Sequence, residues 1–177
     1  PNMPTAFGFG NSSSGIYGIG SPDTIVYFKP DSVKIGTIQL EDQICYASVT
    51  KTSSLLGTRF LENYIVTLDW GRNQIVLDSV KAYDNSVLES FGYKSIFNEN
   101  ELQVGFVFNS TNSLVNPLQL KDHIIQVDSI DFTHILKSDF CQLILDTTKS
   151  STENRTITVK RDSSIFTYPL KKSVILK

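Results

Sequence analysis

Aspartates next to a hydroxyl or two places before a glycine are the first place to look for chemistry in this 177-residue chain. Two carboxylates sharing one proton can activate a water for attack on a peptide bond. That chemistry needs a carboxylate, a hydroxyl and a glycine in succession: the glycine makes a tight turn and the hydroxyl orients the carboxylate pair. Asp23-Thr24-Ile25, Asp31-Ser32-Val33 and Asp146-Thr147-Thr148 lack the glycine, and Asp69-Trp70-Gly71 lacks the hydroxyl. No catalytic residue is therefore assigned. His123 and His134 have no serine or cysteine nucleophile motif beside them, and they read as turn or surface histidines. Cys45 and Cys141 are far apart, lack any signature, and read as buried thiols. Metal binding needs three or four clustered ligands, so no metal site is expected, and no cofactor motif is present.

Composition sets broad limits. Hydrophobic content of 40%, charged content of 19% and a net charge of −2 are ordinary globular values. The near-neutral balance, with no basic cluster beyond Lys171-Lys172, argues against a nucleic-acid surface. The length suits one large domain or two small ones. The chain opens Pro1-Asn2-Met3 and reads as a processed piece of a longer protein.

The elements that would position any site are mostly strands. Residues 1–22 are too glycine-dense for a helix, and Gly15-Ile16-Tyr17-Gly18-Ile19-Gly20 reads as a hairpin tip. Strands are expected at Thr24–Phe28, Ser32–Leu40, Ile44–Val49, Tyr64–Trp70 and Gln74–Leu77, with a short helix over 57–63. Residues 81–88 lack periodicity and read as a linker. Beyond it, strands are expected around Ser90–Tyr93, Leu102–Phe108, Leu118–Asp128, Thr156–Arg161 and Ile165–Leu170. Residues 133–147 read as a helix, with Ser138 as its cap and Phe140, Leu143 and Ile144 on its apolar stripe.

Two stretches carry resemblances. Leu55-Leu56-Gly57-x-x-Phe60-Leu61-x-x-Tyr64-x-Val66-Thr67-Leu68-Asp69 resembles the closing part of a retropepsin-type aspartic peptidase lobe. The resemblance implies that Leu55, Leu56 and Gly57 support a catalytic loop, with Gly57 where main chain passes close by. It also implies that Gly15, Gly18 and Gly20 belong to a flap. Leu118-x-x-x-Asp122-x-Ile124-Ile125-x-Val127-Asp128 resembles a PDZ domain, although Pro117 and Lys121 stand at usual glycine positions. That resemblance implies a peptide-binding groove whose carboxylate loop is Phe91, Gly92 and Tyr93, with Ser90 in place of the first glycine.

The fold expected is mainly β: a partial aspartic-protease-like lobe over 1–80, a linker at 81–88, and a PDZ-like β-barrel with one or two helices over 89–177. The function implied is that of a C-terminal fragment of a bacterial, exported aspartic endopeptidase, inactive by itself, at the periplasm or cell surface. Its partners would be a polypeptide substrate or peptide C-terminus, plus a second copy or the missing N-terminal part. The alternative is a noncatalytic peptide-binding or scaffold protein with a degenerate protease-like lobe.

Overall fold

β-branched and aromatic runs alternating with small or polar residues fold here into a predominantly antiparallel β protein. The computed structural model describes residues 3, 5–11, 14–15, 18–50, 57–98, 101–109, 116–134, 139 and 152–177. The first half holds β1 (Thr5–Gly10), β2 (Ser14–Gly15), β3 (Gly18–Ile19), β4 (Asp23–Phe28), β5 (Ser32–Ile35), β6 (Ile38–Glu41) and β7 (Cys45–Ser48). Helix α1 (Thr58–Leu61) and the hairpin β8 (Tyr64–Asp69) and β9 (Gln74–Ser79) follow. The second half holds β10 (Leu88–Ser90), β11 (Tyr93–Asn98), β12 (Glu101–Asn109), β13 (His123–Val127), β14 (Ile130–Asp131), β15 (Asn154–Arg161), β16 (Ser164–Lys171) and β17 (Ser173–Leu176).

One large sheet runs β16-β15-β13-β12-β1-β4-β7, with β11 also paired to β12 and β14 to β13. Strand β12 is its axis. One edge of β12 pairs with β11 along most of its length. The other edge is shared: Gln103 faces His123 of β13, while Phe106 to Asn109 face Gly10 to Phe7 of β1. The register shifts between Lys94 and Ser95, leaving Gly105 as the extra residue of a bulge. The sheet thus runs across the boundary expected at 81–88. The pair β10–β17 likewise brings the chain's last strand to its middle.

The bulge at Gly105 switches the alternation of β12, so the strand serves two cores on opposite faces, with Val107 still packing against the first. Leu102 and Val104 join Leu118, Ile124, Phe132, Ile157 and Val159. Phe106 and Phe108 join Ala6, Ile25, Tyr27, Ile44 and Leu176. The second core therefore mixes both halves of the sequence. It also explains the glycines of β1. Phe7 and Phe9 point outward while Ala6, Gly8 and Gly10 point in. A Cβ at Gly8 would stand 2.2 Å from Cζ of Phe106, so the ring occupies the space a side chain would need.

The mainly β expectation holds, but the described strands do not close a barrel. Strands β16 and β7 end the sheet with no further neighbour among the described residues. The short helix expected over 57–63 is α1. Of the helix expected over 133–147, residues 135–138 and 140–147 lie outside the described residues, and Asp139 is helical.

Candidate functional site

The turn from β10 into β11 is the best-built candidate. Gly92 has φ +90°, a conformation open to glycine at no steric cost, and a Cβ there would meet Nδ2 of Asn116 at 2.8 Å. The Gly92 carbonyl accepts from Phe108 N–H at 2.9 Å and from Asn116 Nδ2 at 2.6 Å. The Gly92 N–H donates to Ser90 Oγ at 3.0 Å. Here the departure seen in the sequence has a physical outcome. Serine in place of the first glycine supplies a hydroxyl that takes up an amide a carboxylate nest would otherwise present.

A cation stands beside the turn. The guanidinium carbon of Arg155, on β15, lies 4.4 Å from the Phe91 ring centroid. Its Nε is 3.6 Å from Oδ2 of Asp128, and its side chain is only 10% exposed. Asp128 sits in the turn after β13 and is fixed there: Oδ1 accepts Thr156 N–H at 2.8 Å, and its own N–H donates to Thr156 O at 2.7 Å. Burial pushes the Tyr93 phenol up, and the Arg155 charge offsets only part of that rise. A cavity of about 320 Å³ adjoins this cluster, lined by Arg155, Asp128, Thr156, Leu170 and Lys171 among others. Two cations against one carboxylate leave it electropositive. It can take a carboxylate or another small anion, with Arg155 giving a directional, charge-assisted contact.

Other candidates from the sequence are placed as follows. Gly15 faces Gly18 across the hairpin β2–β3. The Gly20 carbonyl accepts a hydrogen bond from Nδ2 of Asn11. Leu55 and Leu56 lie outside the described residues. The crowding expected at Gly57 is not found. Gly57 is exposed, a Cβ there would meet no atom of the described residues within 4 Å, and its carbonyl accepts Phe60 N–H at 3.0 Å to open α1. A role beneath a neighbouring loop draws no support from that geometry. His123 is half-buried with Nδ1 3.8 Å from Oε1 of Glu101, and His134 is exposed. Cys45 is a half-buried free thiol whose pKa burial raises.

Asp23 has a role the sequence only hinted at. It is buried at the start of β4. Its carboxylate accepts from the hydroxyls of Ser48 and Thr50, and from the Thr24 and Thr50 amides at 2.7 and 3.3 Å. Those hydroxyls, Ser48 first, pull its pKa from 3.8 down to about 2. A carboxyl that acidic stays charged near neutral pH and ties β4 to the end of β7. The hydroxyl positions, 25 and 27 residues downstream, were the part of this hub that local motif reading missed.

Among the described residues, no group of three or more His, Cys, Asp and Glu is placed to hold a metal ion. Nor is any helix among them long and apolar enough to cross a membrane. No protein-family model, curated protein or solved structure matches this chain.

Proposed function

We propose that this chain is the C-terminal part of a bacterial, exported aspartic endopeptidase: the rear of a retropepsin-like lobe, then a PDZ-like half that binds or positions polypeptide substrate. The paired catalytic aspartates would come from outside this sequence, and the site of action would be the periplasm or cell surface. One observation carries the peptide-binding part. The Phe91–Tyr93 turn is stacked on Arg155 beside an electropositive cavity, where a peptide carboxylate could be held while its backbone lies along the sheet.

Calorimetric titration tests it with unstructured peptides carrying either a free or an amidated C-terminus. The free acid should bind more tightly, and Arg155→Met, which keeps the stem and removes the charge, should weaken it about tenfold or more. A hydrogen bond to a charged group is worth about 1.5–3 kcal/mol. Equal binding of acid and amide, or full affinity in R155M, would overturn the reading.

The noncatalytic scaffold is the second reading, favoured by Asp23. That aspartate's partners are the Ser48 and Thr50 hydroxyls and the Thr24 and Thr50 amides, so it serves to tie β4 to β7. An Asp-Thr-Gly or Asp-Ser-Gly encoded within several tens of residues before Pro1 would decide for the peptidase.

The hairpin β8–β9 bears on partners. It forms its own two-stranded sheet and exposes Ile65, Leu68, Trp70 (81%) and Ile75 (68%). Two strands alone are marginal in water, so this surface is suited to pair with a second copy or with the N-terminal part of the same protein. Sedimentation should show self-association rising with concentration and lost on Trp70→Ser with Ile75→Ser. A monomer at all concentrations would exclude the second copy.

A further inference from the structure

Antiparallel sheets commonly bury one face and show water a polar other. The part of the large sheet formed by β1, β4 and β7 departs from that. Its inner face holds Ala6, Ile25 and Tyr27 in the second core. Its outer face is apolar too. Phe7 lies opposite Val26, which lies opposite Ala47, and Phe28 follows on β4. Phe7, Phe9 and Ala47 are exposed, and Val26 and Phe28 are half-buried. Phe9 pairs with Val107, so this surface runs on from the first core and opens to water at Phe9 and Phe7. No charged side chain stands on it: the remaining outward positions of the three strands are Thr5, Thr24 and Cys45. The hairpin β8–β9 presents a similar surface. Val66 lies opposite Leu77 and Leu68 opposite Ile75, on the same face as Tyr64, which packs on Phe60 at 4.8 Å. That face carries no charge, whereas Asp69 and Asp78 stand on the other. Val66, Leu68 and Ile75 are exposed.

We propose that the charge-free face of β8–β9 in one copy packs on the β1–β4–β7 face of a second copy, as an added layer of sheet. This contact rests on the self-association proposed for the hairpin and specifies which surfaces meet. Charge selects the faces. A carboxylate pressed between two sheets would have to be desolvated, which disfavours the Asp69 and Asp78 side and leaves the Leu68 and Ile75 side. Packing hairpin on hairpin would leave the larger sheet face open, whereas hairpin on sheet covers both apolar surfaces. In its own chain the hairpin forms a separate sheet. Its base is held where it stands: Asn63 O accepts Val80 N–H at 2.9 Å, and Phe60 packs on Tyr83 at 5.3 Å. Size sets the strength. Two six-residue strands cover about 20 Å by 10 Å, so the contact falls well below the roughly 800 Å² per partner of a stable complex. It is therefore a weak contact that forms as concentration rises.

Sedimentation velocity on mixed variants tests the contact. Leu68→Ser with Ile75→Ser alters the hairpin face. Phe7→Thr with Phe9→Thr alters the sheet face and keeps strand-forming residues. Each double variant alone should associate about tenfold or more weakly than the unaltered protein, because the burial of two large apolar side chains is lost. Their equimolar mixture should recover a dimer, since the intact hairpin of one meets the intact sheet face of the other. Hydroxyl-radical footprinting of the unaltered protein reads the same contact without any substitution: Phe7, Phe9, Leu68 and Ile75 should lose reactivity together as concentration rises. Association lost only in the hairpin variant, with Phe7 and Phe9 still reactive, would overturn this inference and leave self-association through the hairpin standing. Two deficient variants that fail to recover on mixing would overturn it as well. A monomer at every concentration would overturn both.

Discussion

Asp122→Ala is expected to destabilise the protein by about 3 kcal/mol or more, a large share of a total of roughly 5–15 kcal/mol for a domain. Asp122 is 2% exposed. Both its oxygens accept from Arg161, Oδ1 from Nε and Oδ2 from Nη2, each at 2.7 Å. Oδ2 also accepts Gln119 N–H at 2.8 Å, while Arg161 Nη2 donates on to Pro117 O at 3.0 Å. The pair therefore fixes the whole turn from Pro117 to Asp122 against β15. Lys121, with φ +70°, sits in this turn at the position where the PDZ resemblance leads one to expect glycine. Removing only the carboxylate strands a guanidinium with lost partners, which costs more than the pair contributes. Equilibrium urea unfolding measures the loss. Asp122→Leu with Arg161→Met should recover most of it, because two apolar side chains leave no orphaned charge. A single-mutant loss under about 1 kcal/mol would show that the turn is held by other contacts.

Phe106→Ala is the second large effect, about 3–5 kcal/mol by the usual cost of deleting a buried ring. Phe106 is fully buried, packs edge-on to Phe108 at 5.1 Å and to Tyr27 at 6.4 Å, and fills the space above Gly8. Its position on β12 gives the loss a distinctive distribution. Hydrogen exchange should speed up in β1 and β4, from the first half of the sequence, and in β11, from the second. Faster exchange confined to one side would mean that the halves 1–80 and 89–177 are energetically separate.

Much of the strand pattern was legible because alternation is local. Thr24–Phe28 and Tyr64–Trp70 were expected as strands, and β4 and β8 occupy them within a residue. Strand β1 was harder to read. Its buried positions are Ala6, Gly8 and Gly10, so hydrophobicity marks the wrong face, and only the Phe106 ring explains the glycines. The pairing of β1 with β12 could not be read, since nothing near Thr5 encodes a partner about a hundred residues away. The candidate site divides in the same way. Phe91, Gly92 and Tyr93 were legible as a glycine-centred turn. Arg155 was not, because β15 meets that turn only once the sheet has assembled.

The shared strand β12 constrains how such a sequence could have descended. A recombination point at 81–88 looks inviting, yet a lineage inheriting only the later half would carry β12 with an edge bared from Phe106 to Asn109. One inheriting only the earlier half would carry Tyr27 and Ile25 without the rings and the leucine that cover them. Shuffling at that point is therefore disfavoured unless both pieces travel together, so selection acts on them as a single heritable unit.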